Sequence, residues 1–234
     1  MPKVSIILPA YNEEERIARS INSVLNQTYK DFELIVVNNL STDKTLEVLN
    51  TFSDSRIKVV NCETQGIVPS LNFGLQKASG EIIARQDADD FWYPKKLESQ
   101  ISLLEEKKDI SICGTQIRIL DSDLKLKNSE FRYPIKDSAI KSWLLTGKNS
   151  IAHPSVAFRR EILLRTGGYD DSYPIAEDHH MWLRCIKWFN FENLSEVLVD
   201  YTAVHNENYD PKYPLLASEA QFKLLNHAGI LKVN

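Results

Sequence analysis

Short, continuous apolar runs alternate with segments of helical periodicity over the first 90 residues. Four of these runs are predicted as buried strands: residues 4–8, 32–37, 57–60 and 82–84. Apolar side chains at one-face spacing predict three helices between the strands: residues 13–26, a helix that begins near residue 42 or 43, and one that Gly66 opens. Strands that are apolar along their whole length are typical of a parallel sheet covered by helices on both faces. The pattern therefore predicts an α/β fold with a mostly parallel central sheet.

Three polar clusters follow predicted strands. They are Pro9-Ala10-Tyr11-Asn12-Glu13, Asn38-Asn39 and Asp87-Ala88-Asp89. Ligands of parallel α/β sheets bind beyond the carboxyl ends of the strands, so we expect the three clusters to converge on one cleft. Asn12 is also placed to cap the first helix.

The acidic cluster ends the stretch EIIARQDADD at residues 81–90. Its crowded carboxylates repel each other and lose solvation at the end of a buried strand. A divalent cation that takes oxygen ligands, Mg²⁺ or Mn²⁺, would relieve both costs. In an extended backbone Asp87 and Asp89 point the same way, because side chains alternate along a strand. The alternative is an acidic turn that caps the next helix, with Asp90 or a neighbour as the N-cap.

Composition narrows the class of protein. A chain of 234 residues with 43% hydrophobic and 26% charged residues can bury the core of one α/β domain. The net charge of −4 argues against a protein that binds a nucleic-acid backbone. Cys62, Cys113 and Cys185 are odd in number and widely spaced, which predicts reduced core cysteines and argues against disulfides or a zinc site.

No apolar run has the length of a signal peptide or of a membrane span. We therefore expect a cytoplasmic protein, and peripheral contact with the inner face of a membrane stays open. The last predicted helix, residues 214–228, carries little positive charge, so packing on the core is its default role. The alternatives are that this helix covers an acceptor site, forms a dimer contact or contacts a membrane surface.

The second half of the chain has a less regular pattern. Its predicted strands and helices are, in order, residues 94–106, 110–115, 116–120, 137–145, 156–158 and a helix from about 177 onward. Asp121-Ser122-Asp123 resembles a metal-binding pair of acids but is predicted to be a solvated turn. His153 is equally consistent with a phosphate or acceptor contact and with a buried, hydrogen-bonded histidine.

Five segments resemble, in order, the motifs of family 2 glycosyltransferases. They are VSIILPAYNEE, FELIVVNNLSTDKT, GIVPSLNFGLQKASGEIIARQDADD, HPSVAFRRE and GGYDDSYPIAEDHHMWLRC, and they span residues 3 to about 190. No single motif decides the family, but five in this order and spacing are specific. The resemblance implies the GT-A fold and an inverting transfer of a sugar from a nucleotide sugar.

The resemblance also implies roles for the first polar cluster. Pro9 and Tyr11 would flank the nucleotide base, with the Tyr11 ring available for stacking, and Glu13 would lie near the ribose. A loop aromatic that packs on the end of the sheet is the alternative for Tyr11. Arg85 would contact the diphosphate, or else it is a surface arginine.

The second cluster departs from the family pattern, which has two aspartates and a glycine where this chain has Asn38, Asn39 and Leu40. In the family the second aspartate accepts the imide proton of the base, and the Asn39 carbonyl can accept the same hydrogen bond. We expect this neutral contact to be weaker, with uridine favoured over thymidine or guanosine. Leu40 in place of glycine suggests a less strained turn.

Asp87 and Asp89 match the DxD motif of the family. Asp87 would face the ribose and the water shell of the cation, and Asp89 would bind Mn²⁺ or Mg²⁺ directly. His205 is either a further ligand of the metal or diphosphate, or a loop histidine. Asp178, the second acid of the Glu177-Asp178 pair, would be the catalytic base that takes the proton of the acceptor hydroxyl.

Asp178 is predicted to lie in the first turn of a helix, whose N-terminus stabilises the ionised carboxylate. Ordinary first-turn acids are the alternative for Glu177 and Asp178. The next two residues, His179 and His180, point about 100° apart on a helix, so they are not expected to share a metal. We expect both to be partly exposed or to face the acceptor.

The expected activity is a metal-dependent transfer of a hexosyl or N-acetylhexosaminyl group from a UDP-sugar to a glycan or lipid-linked glycan, as in bacterial surface polysaccharide assembly. A sugar nucleotidyltransferase is a second hypothesis, but PAYNEE lacks the glycine-rich phosphate loop expected there. A third hypothesis is a catalytically inactive nucleotide-sugar-binding protein. It is favoured only by Asn38 and Asn39, which stand where the family has aspartates. We expect one domain, with a nucleotide-binding half at 1–110, an acceptor and catalytic-base half at 111–205 and a helical extension at 206–234. No nucleic-acid partner is expected, and a homodimer stays open.

Overall fold

The structure is a computed structural model that describes residues 1–203, without the side chains of residues 127–129. The strands of this part of the chain are β1 Val4–Ala10, β2 Phe32–Asn38, β3 Ile57–Asn61, β4 Ile82–Arg85, β5 Phe91–Trp92, β6 Ile110–Leu120, β7 Leu126–Phe131, β8 Ala157–Arg159 and β9 Asn190–Thr202. The helices are α1 Ile17–Leu25, α2 Thr45–Leu49, α3 Ile67–Lys77, α4 Lys96–Glu106, α5 Asp137–Leu145, α6 Leu163–Thr166 and α7 Glu177–Cys185. His205 and the predicted helix at 214–228 lie outside the described residues.

Within residues 1–203 the strands form one sheet in the order β3-β2-β1-β4-β8-β6-β9-β5, with β7 paired to β6. The four strands of the first half, β3, β2, β1 and β4, are parallel to one another. β8 is antiparallel to both of its neighbours, β4 and β6, while β6 runs parallel to β9. The α/β prediction is confirmed: the first half of the sheet is parallel, and the second half is mixed.

Side chains of β1 alternate between the two faces of the sheet and pack into two separate core clusters. Ile6 and Leu8 belong to the cluster that also contains Ile17 of α1. Ile7 belongs to the cluster on the other face, which contains the buried side of α3. α3 approaches β1 closely at Gly74, where an added Cβ would lie 2.6 Å from Ile7 Cγ2. Both faces of the sheet are therefore covered, as the uninterrupted apolar strands predict.

Three smaller predictions can be compared with the structure. The cysteines are free and buried, as expected of core thiols: Cys62, Cys113 and Cys185. The segment at 121–123 is a turn, in which the Asp121 carboxylate accepts the N–H groups of Asp123 and Lys125 at 3.0 and 2.8 Å. No helix within residues 1–203 has both the length and the apolar character needed to cross a bilayer.

The first helix begins later than predicted. α1 starts at Ile17 because residues 13–16 form a turn, in which the Glu13 carbonyl accepts the N–H groups of Arg16 and Ile17 at 3.1 and 2.9 Å. Asn12 does not cap this helix. It has a left-handed backbone with φ 55°, and its amide oxygen accepts the Thr42 N–H at 2.8 Å. A tertiary contact has therefore replaced the local cap.

The sequence pattern does not predict β9, which is 13 residues long. Its pairing with β6 contains register shifts, including one between Gly114 and Gln116. Such irregularities insert residues that break the period-two alternation of a strand. The pattern of β9 therefore predicts no strand, although Tyr201 of β9 lines the second of the two cavities described below.

Candidate active site

A first cavity of about 340 Å³ lies at the carboxyl ends of β1, β2 and β4. Members of all three predicted polar clusters line it, which confirms that they converge: Pro9, Ala10, Tyr11, Glu13, Asn39, Asp87, Ala88 and Asp89. Four residues around the start of α3 complete the wall: Gln65, Gly66, Ile67 and Ser70. The clusters meet because β1 lies between β2 and β4 in the sheet.

Tyr11 and Glu13 contribute very different surfaces to this cavity. Tyr11 is 46% exposed, which leaves its ring available to a ligand. The Glu13 backbone is fixed, since its N–H donates to Thr45 Oγ1 at 2.7 Å. Burial, followed by repulsion from Asp89, raises the pKa of the Glu13 carboxyl to about 7. Glu13 Oε2 is buried without a hydrogen-bond partner among the described residues.

Asn39 holds the loop that precedes α3. Its Nδ2 donates to the Thr64 carbonyl and its Oδ1 accepts the Gly66 N–H, both at 2.7 Å. The oxygen that would accept a base proton therefore has one partner already, and its second lone pair remains. The expectation of a less strained turn at Leu40 is wrong. Its φ is 59°, in the left-handed region that costs a non-glycine residue roughly 1–2 kcal/mol.

The acidic residues form a turn, and the prediction of an extended segment is wrong. The Asp90 N–H donates to the Asp87 carbonyl at 3.3 Å, which closes the turn. The carboxylates of Asp87, Asp89 and Asp90 each offer an oxygen within 4.8 Å of the others. We call residues 87–90 the acidic turn. It does not cap the next helix, because Lys95 is the N-cap of α4 and Asp90 is fully buried.

Distant parts of the chain hold the acidic turn in place. Ser20 of α1 donates its hydroxyl hydrogen to the Asp87 carbonyl at 2.7 Å. Thr202, at the end of β9, makes two bonds to the turn. Its Oγ1 donates to the Asp89 carbonyl and its N–H donates to Asp90 Oδ1, both at 2.7 Å. Both α1 and β9 therefore position the carboxylates.

The acidic turn suits a hard divalent cation. Burial, followed by the charge of Asp87, raises the pKa of Asp89 to about 6. Burial and the neighbouring carboxylates also hold the pKa of Asp90 well above its ordinary range. Asp90 Oδ2 is buried without a hydrogen-bond partner within residues 1–203. A cation that takes oxygen ligands, such as Mg²⁺ or Mn²⁺, would compensate this excess of negative charge.

A second cavity of about 400 Å³ adjoins the first at Asp87, which lines both. Its polar lining comprises Arg85, Asp87, Asn149, His153, Glu177 and Asp178. Asp178 lies in the first turn of α7, as predicted. The Asn149 amide donates to Asp178 Oδ2 at 3.0 Å, and the His179 N–H donates to Oδ1 at 2.6 Å. Both oxygens of this carboxylate are therefore held at the cavity wall.

Arg85 and His153 are buried side chains of the second cavity, 4% and 7% exposed. The Arg85 guanidinium contacts the Asp87 carboxylate, so Arg85 is not the surface arginine of the alternative prediction. His153 Nε2 lies 2.9 Å from the Tyr169 hydroxyl oxygen, and Nδ1 lies 3.4 Å from Glu177 Oε1. Burial, followed by the charge of Arg85, lowers the pKa of His153 to about 3, which keeps the ring neutral. Burial also raises the pKa of Glu177 to about 7.

The expectation for the two histidines after Asp178 is wrong. His179 and His180 are neither exposed nor part of the cavity lining, and their exposed fractions are 0% and 4%. The His180 ring stacks on Tyr173 with the ring centroids 3.9 Å apart. Met181 and Trp182 are also fully buried, so α7 is packed on several sides. The helix itself is predicted correctly, but the polar residues at its start do not reveal that it is buried.

Sequence reasoning missed three side chains of this region. Asn149 lies in the loop between α5 and the short turn at His153–Ser155, where no residue pattern marks it. Tyr133, which lines the second cavity, lies just beyond β7. Thr202 is the end of a strand that was not predicted. Only knowledge of the β6–β9 pairing could have identified it.

The chain resembles known glycosyltransferases over most of its length. The profile of Glycosyl transferase family 2 matches residues 5–167. The O-antigen biosynthesis glycosyltransferase WbnJ of Escherichia coli is 33% identical over 215 residues, covering 88% of this chain and 81% of that protein. The UDP-Glc:alpha-D-GlcNAc-diphosphoundecaprenol beta-1,3-glucosyltransferase WfgD of Escherichia coli is 36% identical over 187 residues, covering 79% of this chain and 70% of that protein.

Solved structures share the fold. S. aureus TarS 1-349 in complex with UDP-GlcNAc has a TM-score of 0.75 at 20% identity, covering 97% of this chain and 66% of that one. The mannosyltransferase PcManGT from Pyrobaculum calidifontis, in complex with GDP-Man and Mn²⁺, has a TM-score of 0.63 at 20% identity, covering 100% of this chain and 76% of that one. These structures show that the fold is of the GT-A type. The family profile and the relatives show that the chain belongs to glycosyl transferase family 2.

Proposed function

We propose that this glycosyltransferase moves one sugar, with inversion, from a nucleoside-diphosphate sugar to a hydroxyl of a glycan or lipid-linked glycan. The observation that carries the proposal is the junction of the two cavities at Asp87. The first cavity contains the acidic turn, and the second contains the oriented carboxylate of Asp178. A donor in the first cavity and an acceptor in the second would therefore meet beside Asp87.

The first cavity would bind the nucleotide of the donor. Pro9 and Tyr11 would flank the base, and Glu13 would lie near the ribose. Asn39 would offer its remaining lone pair to the base, and Arg85 would contact the diphosphate at the junction of the cavities. UDP is the favoured nucleotide because the similar TarS structures contain UDP and UDP-GlcNAc, whereas PcManGT contains GDP-Man.

The acidic turn would hold Mn²⁺ or Mg²⁺. Asp89 would bind the cation directly, Asp87 would contact its water shell, and His205 is a further candidate ligand. The bound cation would neutralise the charge that develops on the departing nucleoside diphosphate. The crowded, buried carboxylates support this assignment, and so does the Mn²⁺ in the PcManGT complex.

Asp178 would act as the catalytic base. As the acceptor oxygen bonds to C1 of the donor sugar, its proton passes to the Asp178 carboxylate. The bond between C1 and the diphosphate oxygen breaks, and the diphosphate leaves with that electron pair. Because the acceptor attacks from the face opposite the leaving group, the configuration at C1 is inverted. The N–H groups of Asn149 and His179 would hold Asp178 in position for this transfer.

The relatives support a setting in polysaccharide synthesis. WbnJ is named for O-antigen biosynthesis, and WfgD is named for glucosyl transfer to GlcNAc-diphosphoundecaprenol. By analogy, we propose hexosyl or N-acetylhexosaminyl transfer during surface polysaccharide assembly. The reaction would occur in the cytoplasm, with the enzyme peripheral to the inner face of the membrane when the acceptor is lipid-linked.

Calorimetric titration of UDP, first with Mn²⁺ and then with EDTA, tests the donor site. We expect binding that requires the metal, followed by turnover of at least one UDP-sugar. GDP and dTDP are the controls for the choice of base. Failure of all these nucleotides to bind in either condition would contradict the proposal. Binding without turnover of any nucleotide sugar would instead favour an inactive binding protein.

A further inference from the structure

The second cavity has an apolar wall that proton transfer does not require. Ile117 of β6 lies opposite Phe131 of β7, and Ile119 of β6 lies opposite Tyr201 of β9. Side chains two residues apart on a strand project from the same face, and directly paired residues share a face. All four side chains line the cavity, so β7, β6 and β9 together form this wall.

Aromatic rings provide the accessible part of the wall. Phe131 is 42% exposed and Tyr201 is 37% exposed. Tyr133 also lines the cavity, and its ring centroid lies 4.8 Å from that of Phe131, with the ring planes at 57°. We call these three rings the aromatic wall. Accessible aromatic surface favours a ligand with an apolar face that can cover it.

The polar lining of the same cavity is negatively charged. Three carboxylates, on Asp87, Glu177 and Asp178, accompany a single cationic side chain, Arg85, among the described lining residues. Arg85 contacts Asp87, so Asp178 remains as a carboxylate without an ion pair to a lining side chain. Glu177, with its pKa raised to about 7, adds a partly ionised carboxyl at neutral pH. An anionic ligand would be repelled in this cavity, whereas a neutral one would not.

We propose that the acceptor is a neutral pyranose whose C–H face stacks on the aromatic wall while its hydroxyl edge faces Asn149 and Asp178. A pyranose satisfies both observations, because its ring face is apolar and its edge carries hydroxyl groups. Uronic acids and sugar phosphates are selected against at this position by the carboxylates. The inference rests on the proposed function and adds to it the class of acceptor and the residues that select it.

Saturation-transfer NMR with methyl glycosides tests the inference in the presence of UDP and Mn²⁺. Methyl glucoside and methyl N-acetylglucosaminide are the neutral probes, and methyl glucuronide is the anionic probe. We expect the ring C–H protons of a neutral probe to receive saturation. Methyl glucuronide should bind at least about tenfold more weakly because of the negative lining.

Substitution of an exposed ring separates stacking from folding. Phe131→Ala should weaken binding of the neutral probes about tenfold, and Phe131→Tyr should restore it, because only the aromatic face is needed. Trp188→Ala is the matched control, since Trp188 is 53% exposed and lines neither cavity. The thermal midpoint and the UDP affinity of every variant are measured alongside.

The outcomes distinguish this inference from the proposed function. Wild-type protein that binds UDP but neither neutral probe, or that prefers methyl glucuronide, would overturn the inference and leave the proposed function standing. Equal probe affinities for the wild type and Phe131→Ala would do the same. If UDP does not bind but GDP or dTDP does, the glycosides are titrated with that nucleotide. If none of the three nucleotides binds, the proposed function fails, and the glycosides are titrated without nucleotide under the same criteria.

Discussion

In the first cavity, most lining residues lie at the end of β1, β2 or β4 or within four residues after it, and all of them lie between residues 9 and 89. In the second cavity, the lining residues come from segments that extend from residue 85 to residue 201. The parallel half of the sheet brings the first set together, and hydrogen bonds from α1 and β9 then hold the acidic turn. The second set needs a mixed sheet, a loop and α7 to pack correctly. A site formed at parallel strand ends is therefore determined by local sequence far more than a site assembled across a mixed sheet.

The acids of the two cavities are also held differently. Backbone carbonyls of the acidic turn accept hydrogen bonds from α1 and β9. Asp178 accepts one bond from a side chain, Asn149, and one from the backbone of its own helix. We therefore expect the two cavities to be separable by substitution. Changes in the first should act on metal and nucleotide binding, and changes in the second should act on turnover.

Asp178→Asn should separate the effect on turnover from the effect on nucleotide binding more than any other substitution. The amide has nearly the same shape as the carboxylate but cannot take the acceptor proton, so turnover should fall roughly 10³-fold. UDP affinity in the presence of Mn²⁺ should stay unchanged in calorimetry. Asp171→Asn is the control, because Asp171 is an exposed acid near the same helix. Turnover near the wild-type rate would show that Asp178 is not the base.

Asp89→Asn should weaken the nucleotide binding that Asp178→Asn leaves unchanged. Loss of a direct metal ligand should weaken Mn²⁺-dependent binding of UDP about 100-fold, and EDTA should have the same effect on the wild type. Asp123→Asn is a matched control, because Asp123 ends the other Asp-X-Asp segment and its side chain is 69% exposed. If Asp89→Asn keeps the Mn²⁺-dependent affinity for UDP, the acidic turn does not hold the metal.

Asn149→Ala should have a smaller effect confined to the second cavity. It removes one hydrogen bond to a carboxylate, so kcat should fall about tenfold while UDP affinity is kept. In the Asp178→Asn background the same substitution should have no further effect, because Asn149 acts through Asp178. An equal loss in both backgrounds would mean that Asn149 only supports the structure.

Glu33→Gln should change stability and leave both cavities intact. Burial alone would raise the pKa of Glu33, but bonds from Lys58, Ser5 and Ser79 outweigh it and lower the pKa to about 2. The folded pKa lies below the unfolded value, so the stabilisation is fully present above about pH 4.5 and is lost as pH falls towards 2. At neutral pH this shift corresponds to a stabilisation of roughly 3 kcal/mol.

Urea denaturation of wild type and Glu33→Gln between neutral and acidic pH measures this contribution. The difference in unfolding free energy should be largest at neutral pH and should shrink below about pH 4.5. UDP binding should be the same in both proteins at neutral pH. A difference that is independent of pH would show that the Glu33 charge is not responsible.

The parallel strands and the convergence of their polar clusters could be predicted from sequence, because a buried parallel strand and the residue after it are local features. The geometry of the acidic turn could not. Asp90 joins Asp87 and Asp89 because the Thr202 N–H, over 100 residues away in sequence, bonds its carboxylate. The Asn12 side chain likewise accepts a hydrogen bond from the Thr42 N–H and does not cap the first helix. In each case a tertiary hydrogen bond outweighed the local preference.

The second cavity shows the same limit more strongly. The pairing of β9 with β6 is irregular, so the sequence pattern did not predict β9 or the position of Tyr201 on it. Asn149 lies in a loop whose composition carries no signal. Asp178 was located in the first turn of its helix, but the burial of His179 and His180 was not foreseen, because their neighbours along the chain do not reveal what packs against α7.

The end of β9 joins the two cavities through adjacent residues. Tyr201 belongs to the aromatic wall, and Thr202 bonds the acidic turn. Because the two residues are consecutive on one strand, we expect ordering of the acidic turn to restrain the ring on which an acceptor would rest. By thermodynamic linkage, donor and acceptor should raise each other's affinity by the same factor. Equilibrium titrations should therefore show that the acceptor binds more tightly in the presence of the nucleotide sugar, and that the nucleotide sugar binds more tightly in the presence of the acceptor.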